Sequence, residues 1–261
     1  MEAILRISIS LGLFLLMVSW ECFSPRRSLS LTRKQRWPVN LGLALLNMTV
    51  IRFTLGGIAY LSAIDAMNNQ WGLLNLVVLP QWLTILITLL VLDVVIYFQH
   101  RIAHRWKPLW RLHQVHHTDL DFDASTAVRF HPLEIMFSLL VKVACVYALG
   151  ANPLAVIVFE ILLNGSATFN HSNIKLPLKL DKILRWLIVT PDMHRIHHSC
   201  LLEERDSNYG FSVSIWDRLF NSYTANPKQS QEQFPIGLDQ YREAKQVGFF
   251  KSLLLPFKTL K

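Results

Sequence analysis

The sequence predicts an all-α integral membrane protein with about four transmembrane helices and a cytoplasmic helical cap. Three observations lead to this fold class: the composition, the length of the apolar runs, and the distribution of lysine and arginine between those runs. Hydrophobic residues make up 52% of the 261 residues, and charged residues only 17%. This balance is typical of membrane proteins and not of soluble ones.

Four apolar runs approach the roughly 20 residues that a transmembrane helix needs. They are 5–23, 40–62, 79–99 and 132–168. The last run is broken at Gly150 to Pro153, and it is long enough for two crossings or for a hairpin that dips into the membrane and returns. A full crossing would place Lys142 near the centre of a bilayer, where a charge is costly. The sequence therefore leaves both arrangements open. The first run lacks a cleavage site of small residues, so we interpret it as a retained helix and not as a signal peptide.

Lysine and arginine are distributed unevenly between the apolar runs. The segment 24–38 has five of them and 63–80 has none, whereas 100–131 and the chain from 169 onward are basic again. Membrane proteins keep an excess of these residues in cytoplasmic segments, so the basic segments are predicted to be cytoplasmic. Arg6 departs from the rule, because this scheme puts it on the outer side. The net charge of +8 does not indicate nucleic-acid binding, since no basic stripe is interleaved with aromatic residues.

All ten histidines lie between residues 100 and 198. Eight of them form three short motifs, which are His100-Arg-Ile-Ala-His104, His113-Gln-Val-His116-His117 and His194-Arg-Ile-His197-His198. Side chains three or four positions apart lie on one face of an α-helix, so each motif presents two or three imidazoles to a common point. His131 and His171 stand alone, and each has an ordinary structural interpretation beside a metal-binding one.

The number of imidazoles indicates two metal ions, because one ion takes about four to six ligands. Imidazole suits zinc, copper, iron and nickel, so the ligand type alone leaves the metal open. A closed structural zinc site needs only four ligands. The H-E-x-x-H motif of zinc proteases is absent, because Arg105 follows His104. Cys22, Cys145 and Cys200 are isolated, which argues against both a disulfide framework and a thiolate site.

Further sequence elements accompany the three motifs. They are Trp110–His117, Arg129–Glu134 (with Phe-His-Pro-Leu-Glu), Asn170–Ser172, Thr190–His198, Asn208–Phe211 and Trp216–Phe220. This set resembles the fatty acid hydroxylase superfamily, which includes the sterol desaturases and the alkylglycerol monooxygenases. The resemblance covers about 85–225. It divides the chain into membrane helices at 1–80, a catalytic domain at 81–225, and a tail at 226–261 that either lies on the membrane surface or is loosely ordered.

The resemblance implies two iron ions and a reaction in which O2 hydroxylates or desaturates a lipid or sterol-like substrate. The implied ligands are His100, His104, His113, His116, His117, His131, His171, His194, His197 and His198. A separate electron-donor protein is also implied, because the sequence has no G-x-G-x-x-G loop and no cysteine set for an iron–sulfur cluster. Alkylglycerol monooxygenases place a glutamate directly after the first motif, where this chain has Arg105, so their ether-lipid substrate is not carried over.

Four polar residues are candidates for hydrogen bonds to the ligating histidines, which usually donate their second N–H to a carboxylate or carbonyl. They are Asp93, Asn170, Asp192 and Asp123. The alternative for each is an ordinary helix cap or a solvated side chain. For the whole protein, the alternatives to an oxygenase are a histidine-rich metal transporter and a non-catalytic metal-binding membrane protein. Transporters place their ligands near the bilayer midplane, whereas these histidines follow the third apolar run.

Overall fold

The computed structural model describes residues 2–54 and 57–258. Helices are the main regular structure in both ranges. The α-helices in these ranges are α1 Glu2–Phe23, α2 Arg33–Thr54, α3 Ile58–Asn68, α4 Gln81–Arg105, α5 Lys107–His117, α6 Pro132–Leu149, α7 Pro153–Asn170, α8 Leu178–Leu184, α9 Pro191–His197, α10 Leu202–Arg205, α11 Ile215–Leu219 and α12 Phe249–Leu254. Short 3-10 turns lie at Leu73–Leu76, Ala124–Val128, Ala244–Gln246 and Leu255–Phe257. Extended backbone within the described ranges is limited to isolated bridges. The predicted all-α class is confirmed.

Within the described residues, five stretches are long and apolar enough to cross a membrane, compared with the four or so that were predicted. They are Arg6–Phe23, Arg33–Leu76, Gln81–Arg105, Pro132–Leu149 and Pro153–Asn170. The last predicted run consists of two helices, α6 and α7, of 18 residues each. Each is therefore about 27 Å long, close to the thickness of a bilayer core. Gly150 ends α6 with a φ of 68°, in the left-handed region that glycine adopts without strain.

The first half of α2 packs against the segment Ala124–Val128, and we call this region, together with the helices that carry the histidine motifs, the cap. Its buried face consists of Arg36, Asn40, Leu43 and Asn47, which follow one another at helical spacing. The Arg36 guanidinium lies 2.7 Å from the Asp119 carboxylate, and Asn47 Nδ2 donates to the Phe130 carbonyl at 3.0 Å. These polar groups have partners in the protein and do not face lipid. One face of the apolar run predicted at 40–62 therefore packs inside the protein, while Leu41 and Leu45 are exposed, and residues 55 and 56 lie outside the described part of the chain.

The turn that contains Gly72 and the turn that contains Gly150 have no lysine or arginine, and they lie together at one end of the helical bundle. A Cβ atom at Gly72 would come within 2.0 Å of the Gly150 nitrogen, so the two turns are in direct backbone contact. At the opposite end, the basic segment after α1 pairs with the chain after α7, where the Arg26 N–H donates to the Asn173 carbonyl at 2.7 Å. The three histidine motifs lie at this second end. The separation of basic from uncharged segments agrees with the pattern of the sequence.

Three charged residues within the bundle neutralise one another in part. Lys142 Nζ on α6 lies 2.9 Å from Glu160 Oε1 on α7, and Arg6 on α1 pairs with the other oxygen of the same carboxylate. Charged groups in a membrane are costly unless they are paired. The shared Glu160 carboxylate therefore explains how Lys142 and Arg6 can lie in apolar helices, where the sequence pattern alone does not expect a positive charge.

Part of the C-terminal tail is an ordered element of the cap. Leu255 is buried in a cluster with Leu43 of α2 and Val115 of α5. The buried Arg129 guanidinium donates to the Val247 carbonyl and to the Ser252 hydroxyl, at 3.1 Å and 3.0 Å. This end of the tail is therefore fixed by packing and hydrogen bonds. Phe250, Leu254 and Phe257 on the same segment are exposed.

Candidate metal centre

A tight turn brings the first two histidine motifs together. His100 and His104 occupy the last turns of α4, one helical turn apart. Trp106 ends α4 and also precedes α5, and Pro108 in the first turn of α5 suits a helix start. Because a single residue connects the two helices, α5 packs directly against α4. Its own motif thereby faces the first one, and the ring centroids of His104 and His113 are 4.9 Å apart.

Four further histidines come from α9 and from the end of α7. Thr190 caps α9, since its hydroxyl accepts from the Met193 N–H, and Pro191 occupies the first turn. This seven-residue helix carries the third motif, with the last histidine of the motif as its C-cap. His171 is the C-cap of α7, and its ring centroid is 4.4 Å from that of His194. Four segments of the chain, α4, α5, the end of α7 and α9, thus converge on one region.

Nine of the ten histidines form two groups, and in each group one ring nitrogen per residue lies within 4.8 Å of those of the others. Group one consists of His100, His104, His113, His117 and His197. Group two consists of His116, His171, His194 and His198. His104 has a half-buried residue surface but a fully buried imidazole, and the other eight residues are buried. Adjacent residues belong to different groups, as with His116 and His117, so the two groups share helices α5 and α9.

The donor atoms have the spacing of ligands around a common ion. In group two, His171 Nε2 lies 3.0 Å from both His116 Nε2 and His194 Nε2. Imidazole nitrogens bind a transition metal at about 2.0–2.1 Å, so neighbouring ligands on one ion lie about 3 Å apart. In group one, His100, His104 and His197 each have a buried Nε2 without a hydrogen-bond partner. Unpartnered buried nitrogens are costly, and a bound metal ion accounts for them.

The outer nitrogens of several rings are held by backbone carbonyls. His100 Nδ1 is 2.8 Å from the Tyr209 carbonyl, and His197 Nδ1 is 2.8 Å from the Ser207 carbonyl. His171 Nδ1 is 2.7 Å from the Ala167 carbonyl. Such contacts fix the tautomer with its proton on Nδ1, which leaves Nε2 free to bind a metal. These partners could not be identified in the sequence, because any residue type supplies a carbonyl.

Two carboxylates also hold imidazoles of group one. Glu134 Oε1 lies 2.5 Å from His113 Nδ1, and Asp206 Oδ1 lies 3.3 Å from His104 Nδ1. Neither acid was among the predicted candidates. Glu134 does lie in the Phe-His-Pro-Leu-Glu element, so its place in that element was a usable signal.

Burial keeps the cap imidazoles neutral. It holds the pKa of His116, His194 and His198 well below the usual value of 6.5, and the neighbouring imidazoles lower it further. Burial also lowers the pKa of His171, to about 4. Metal ligation requires the neutral ring, so the environment favours the form that binds.

His131 lies outside both groups. Its Nδ1 accepts a hydrogen bond from the Leu133 N–H at 3.2 Å and caps α6. Its Nε2 lies 3.2 Å from the Leu253 carbonyl. Both ring nitrogens are therefore occupied in structural contacts that join α6 to the C-terminal segment.

The four polar candidates make other contacts. Asp93 Oδ2 accepts from the Trp216 indole at 2.8 Å, and Asn170 Nδ2 donates to the Phe211 carbonyl at 2.5 Å. Asp192 pairs with Arg26 and Arg195, while Asp123 caps the 3-10 turn at Ala124–Val128 and pairs with Arg36. Among the described hydrogen bonds, none of the four reaches an imidazole of either group. Their roles are to fix the segments that surround the centre.

Comparison with known proteins relates this region to one family. The model of the fatty acid hydroxylase family matches residues 85–222. Ornithine lipid hydroxylase OlsE of Rhizobium tropici is 31% identical over 186 residues, which cover 68% of this chain and 51% of that protein. Alkylglycerol monooxygenase of Xenopus tropicalis is 31% identical over 157 residues, which cover 59% of this chain and 34% of that protein.

A more distant relative carries a different name. Very-long-chain aldehyde decarbonylase GL1-1 of Oryza sativa subsp. indica is 26% identical over 173 residues, which cover 62% of this chain and 27% of that protein. The chain thus spans about half the length, or less, of these three relatives. No solved structure matches it.

Proposed function

The chain belongs to the fatty acid hydroxylase family, and from that premise we propose that it is a membrane di-iron oxygenase acting on a lipid. The reaction is the O2-dependent hydroxylation of a C–H bond in the hydrocarbon part of the substrate. Desaturation is the related outcome of the same first step. Relatives named as a hydroxylase and a monooxygenase support the assignment to the oxidoreductases and favour hydroxylation over desaturation.

One observation carries the proposal: two groups of buried imidazoles lie side by side at the end of a bundle of apolar helices. Five and four ligands suit two ions better than one, because a single ion takes at most about six. An all-nitrogen set excludes the hard cations magnesium and calcium, which prefer oxygen. Iron changes its oxidation state and can therefore use O2 to oxidise a C–H bond, which zinc cannot, so we propose iron over zinc.

The nine grouped histidines are the proposed iron ligands. Bound there, two iron ions would supply the means of using O2 to oxidise an unactivated C–H bond. The protein contributes the rest. Backbone carbonyls and Glu134 orient the imidazoles, burial excludes water from the centre, and the apolar bundle brings the hydrocarbon part of a lipid or sterol-like substrate to it.

The partners follow from the chemistry and from the charge pattern. Hydroxylation with O2 consumes two electrons in addition to those from the substrate, so a separate electron-donor protein is part of the proposal. Because the segments around the histidines are basic, we assign this end of the bundle to the cytoplasmic side. The donor therefore acts at the cytoplasmic face.

The test measures metal and product in the same preparations. Protein purified in detergent without chelator is expected to contain close to two irons per chain, and His116→Ala combined with His197→Ala is expected to lose them. Membranes that contain the wild-type protein, supplied with an electron donor and ¹⁸O2, are expected to give lipids with one heavy oxygen. If the protein contains no iron, or contains one zinc ion that the substitutions do not remove, the oxygenase proposal is wrong. A non-catalytic metal-binding protein or a metal transporter would then be the better interpretation.

A further inference from the structure

Phe211 lies where the metal centre meets the apolar interior of the bundle. Its ring centroid is 6.0 Å from that of His100 in group one and 6.4 Å from that of His194 in group two. The same side chain packs against an apolar cluster formed by Leu89, Leu92, Ile96, Cys145, Phe159 and Leu163 of α4, α6 and α7. We call this set the α4–α7 cluster.

Other aromatic neighbours of the imidazoles lie elsewhere. Phe122 is buried within the cap against Phe234, and Trp110 stacks with Arg205 on the opposite side of group one. Phe130 also touches both groups, but it belongs to none of the apolar clusters in the described part of the chain. Phe211 is therefore the aromatic residue that connects the two metal positions with the membrane-embedded helices.

The backbone that carries Phe211 is fixed. Asp217 accepts hydrogen bonds from the Tyr209 and Gly210 N–H groups, both at 2.8 Å. A Cβ atom at Gly210 would lie 2.7 Å from the same carboxylate, so the close approach requires glycine. Asn170 at the end of α7 donates a hydrogen bond to the Phe211 carbonyl, so the backbone on both sides of the Phe211 side chain is held.

The α4–α7 cluster has both buried and partly exposed members. Leu89, Cys145, Leu163 and Phe211 are only partly buried, whereas Leu92, Ile96 and Phe159 are buried. Leu89, Cys145 and Leu163 lie on helices that are long and apolar enough to span a membrane. The partly exposed side of these residues is where a hydrocarbon chain would have to approach.

We propose that the α4–α7 cluster is the binding passage for a single hydrocarbon chain of a membrane lipid, and that Phe211 is the positioning residue at its inner end. This inference rests on the proposed function and names the route of its substrate. Rotation of the Phe211 ring on its fixed backbone opens the way to both groups. The ring then packs against the chain and determines which carbon lies between the two metals.

Matched substitutions separate the passage from the lipid-facing surface. Leu163 belongs to the cluster, while its neighbour Leu162 is 47% exposed, and Leu89 and the 40% exposed Leu90 form a second such pair on α4. The probe is a fatty acid with a diazirine at its chain end, photolysed with the iron-loaded protein. Leu163→Trp and Leu89→Trp are expected to lower labelling of the cluster about tenfold, because over-filling a packed apolar site is costly. Leu162→Trp and Leu90→Trp should leave it unchanged.

Phe211 is tested with the same probe. Phe211→Ala is expected to extend labelling to the peptide that contains His194 to His198, and to broaden the distribution of oxidised positions in the product lipid. Phe98→Ala is the control, since Phe98 packs on Phe220 away from the imidazoles and is expected to change neither readout. The iron content of every variant is measured first, so that a misfolded protein is not scored.

The outcomes distinguish this inference from the proposed function. Equal labelling in the two members of each leucine pair, or equal behaviour of Phe211→Ala and Phe98→Ala, with iron retained, overturns the passage alone. Iron-free wild-type protein overturns the proposed function, whatever the labelling pattern. Loss of labelling in the cluster variants alone, with two irons bound, supports both.

Discussion

His113 Nδ1 and Glu134 Oε1 lie 2.5 Å apart, and this contact joins a proposed iron ligand on α5 to the first turn of α6. The second carboxylate oxygen of Glu134 is buried and has no partner in the described part of the chain. The hydrogen bonding of the Glu134 carboxylate is therefore to one imidazole, that of His113. A carboxylate in this place fixes the ring and raises its basicity as a ligand.

Glu134→Gln tests this relationship. The amide retains the shape of the side chain but loses the negative charge, so we expect iron affinity at group one to fall on the order of 10–100-fold. Competition with a chelator measures the affinity, and Mössbauer spectra report whether one iron environment changes and the other does not. Glu160→Gln is the control, because Glu160 pairs with Lys142 away from the centre. Equal chelator sensitivity in wild type and Glu134→Gln contradicts the role.

Ligand and non-ligand histidines are expected to respond differently to alanine. His116→Ala removes a member of group two and His197→Ala a member of group one, so each variant should retain about one iron where the wild type retains two. His131→Ala removes the cap of α6, which is worth about 1 kcal/mol of stability, and the contact to the Leu253 carbonyl, but it should retain both irons. Metal analysis of the purified variants measures the iron content. Loss of iron from His131→Ala would show that His131 is a ligand.

The metal-free protein is expected to lose stability in acid. Burial and the neighbouring imidazoles lower the folded-state pKa of His116, His194 and His198 below the unfolded value of 6.5. Histidines of this kind contribute their stability above the unfolded pKa and lose it as the pH falls below that value. The Tm of chelator-treated protein should therefore fall between about pH 6.5 and about pH 5, while it changes little from about pH 8 to 7. A flat profile contradicts buried neutral histidines.

The Arg36 guanidinium stabilises the cap through buried ion pairs. It lies 2.7 Å from both the Asp119 and the Asp123 carboxylates, and all three side chains are almost fully buried. Arg36→Met leaves two buried carboxylates without this partner and should cost about 3–5 kcal/mol of unfolding free energy. Arg33→Met is the matched change on the same helix, and it should cost about 1 kcal/mol or less because Arg33 is partly exposed. Denaturation in detergent measures both, and equal losses contradict the assignment.

The two ends of the bundle are expected to lie on opposite sides of the membrane. Single cysteines at Asn69 and Leu154 mark the end with the uncharged turns, and cysteines at Lys107 and Lys245 mark the end with the histidines; all four positions are exposed. In intact cells without the native cysteines, an impermeant maleimide should label only the first pair. Labelling of the second pair from outside would reverse the proposed orientation. Labelling of Asn69 without Leu154 would mean that α6 and α7 form a re-entrant hairpin.

The sequence alone determined the helical membrane fold and the presence of a histidine-rich metal centre. Both depend on local patterns, because apolar runs of spanning length and imidazoles at helical spacing keep their meaning wherever the helices pack. The family resemblance of 85–225 in the sequence corresponds to the match at 85–222. The break of the last run near Gly150 was also readable, since glycine and proline interrupt helices wherever they lie.

Only the tertiary structure decided how these parts are combined. Neighbours such as His116 and His117 go to different groups, because successive positions on a helix point about 100° apart and meet different partner helices. The start of α6 relative to α5 places His131 outside both groups and brings Glu134 into contact with His113. One face of α2 packs inside the protein through contacts to residues far along the chain. Such contacts depend on helix packing, which the spacing of residues within one helix cannot specify.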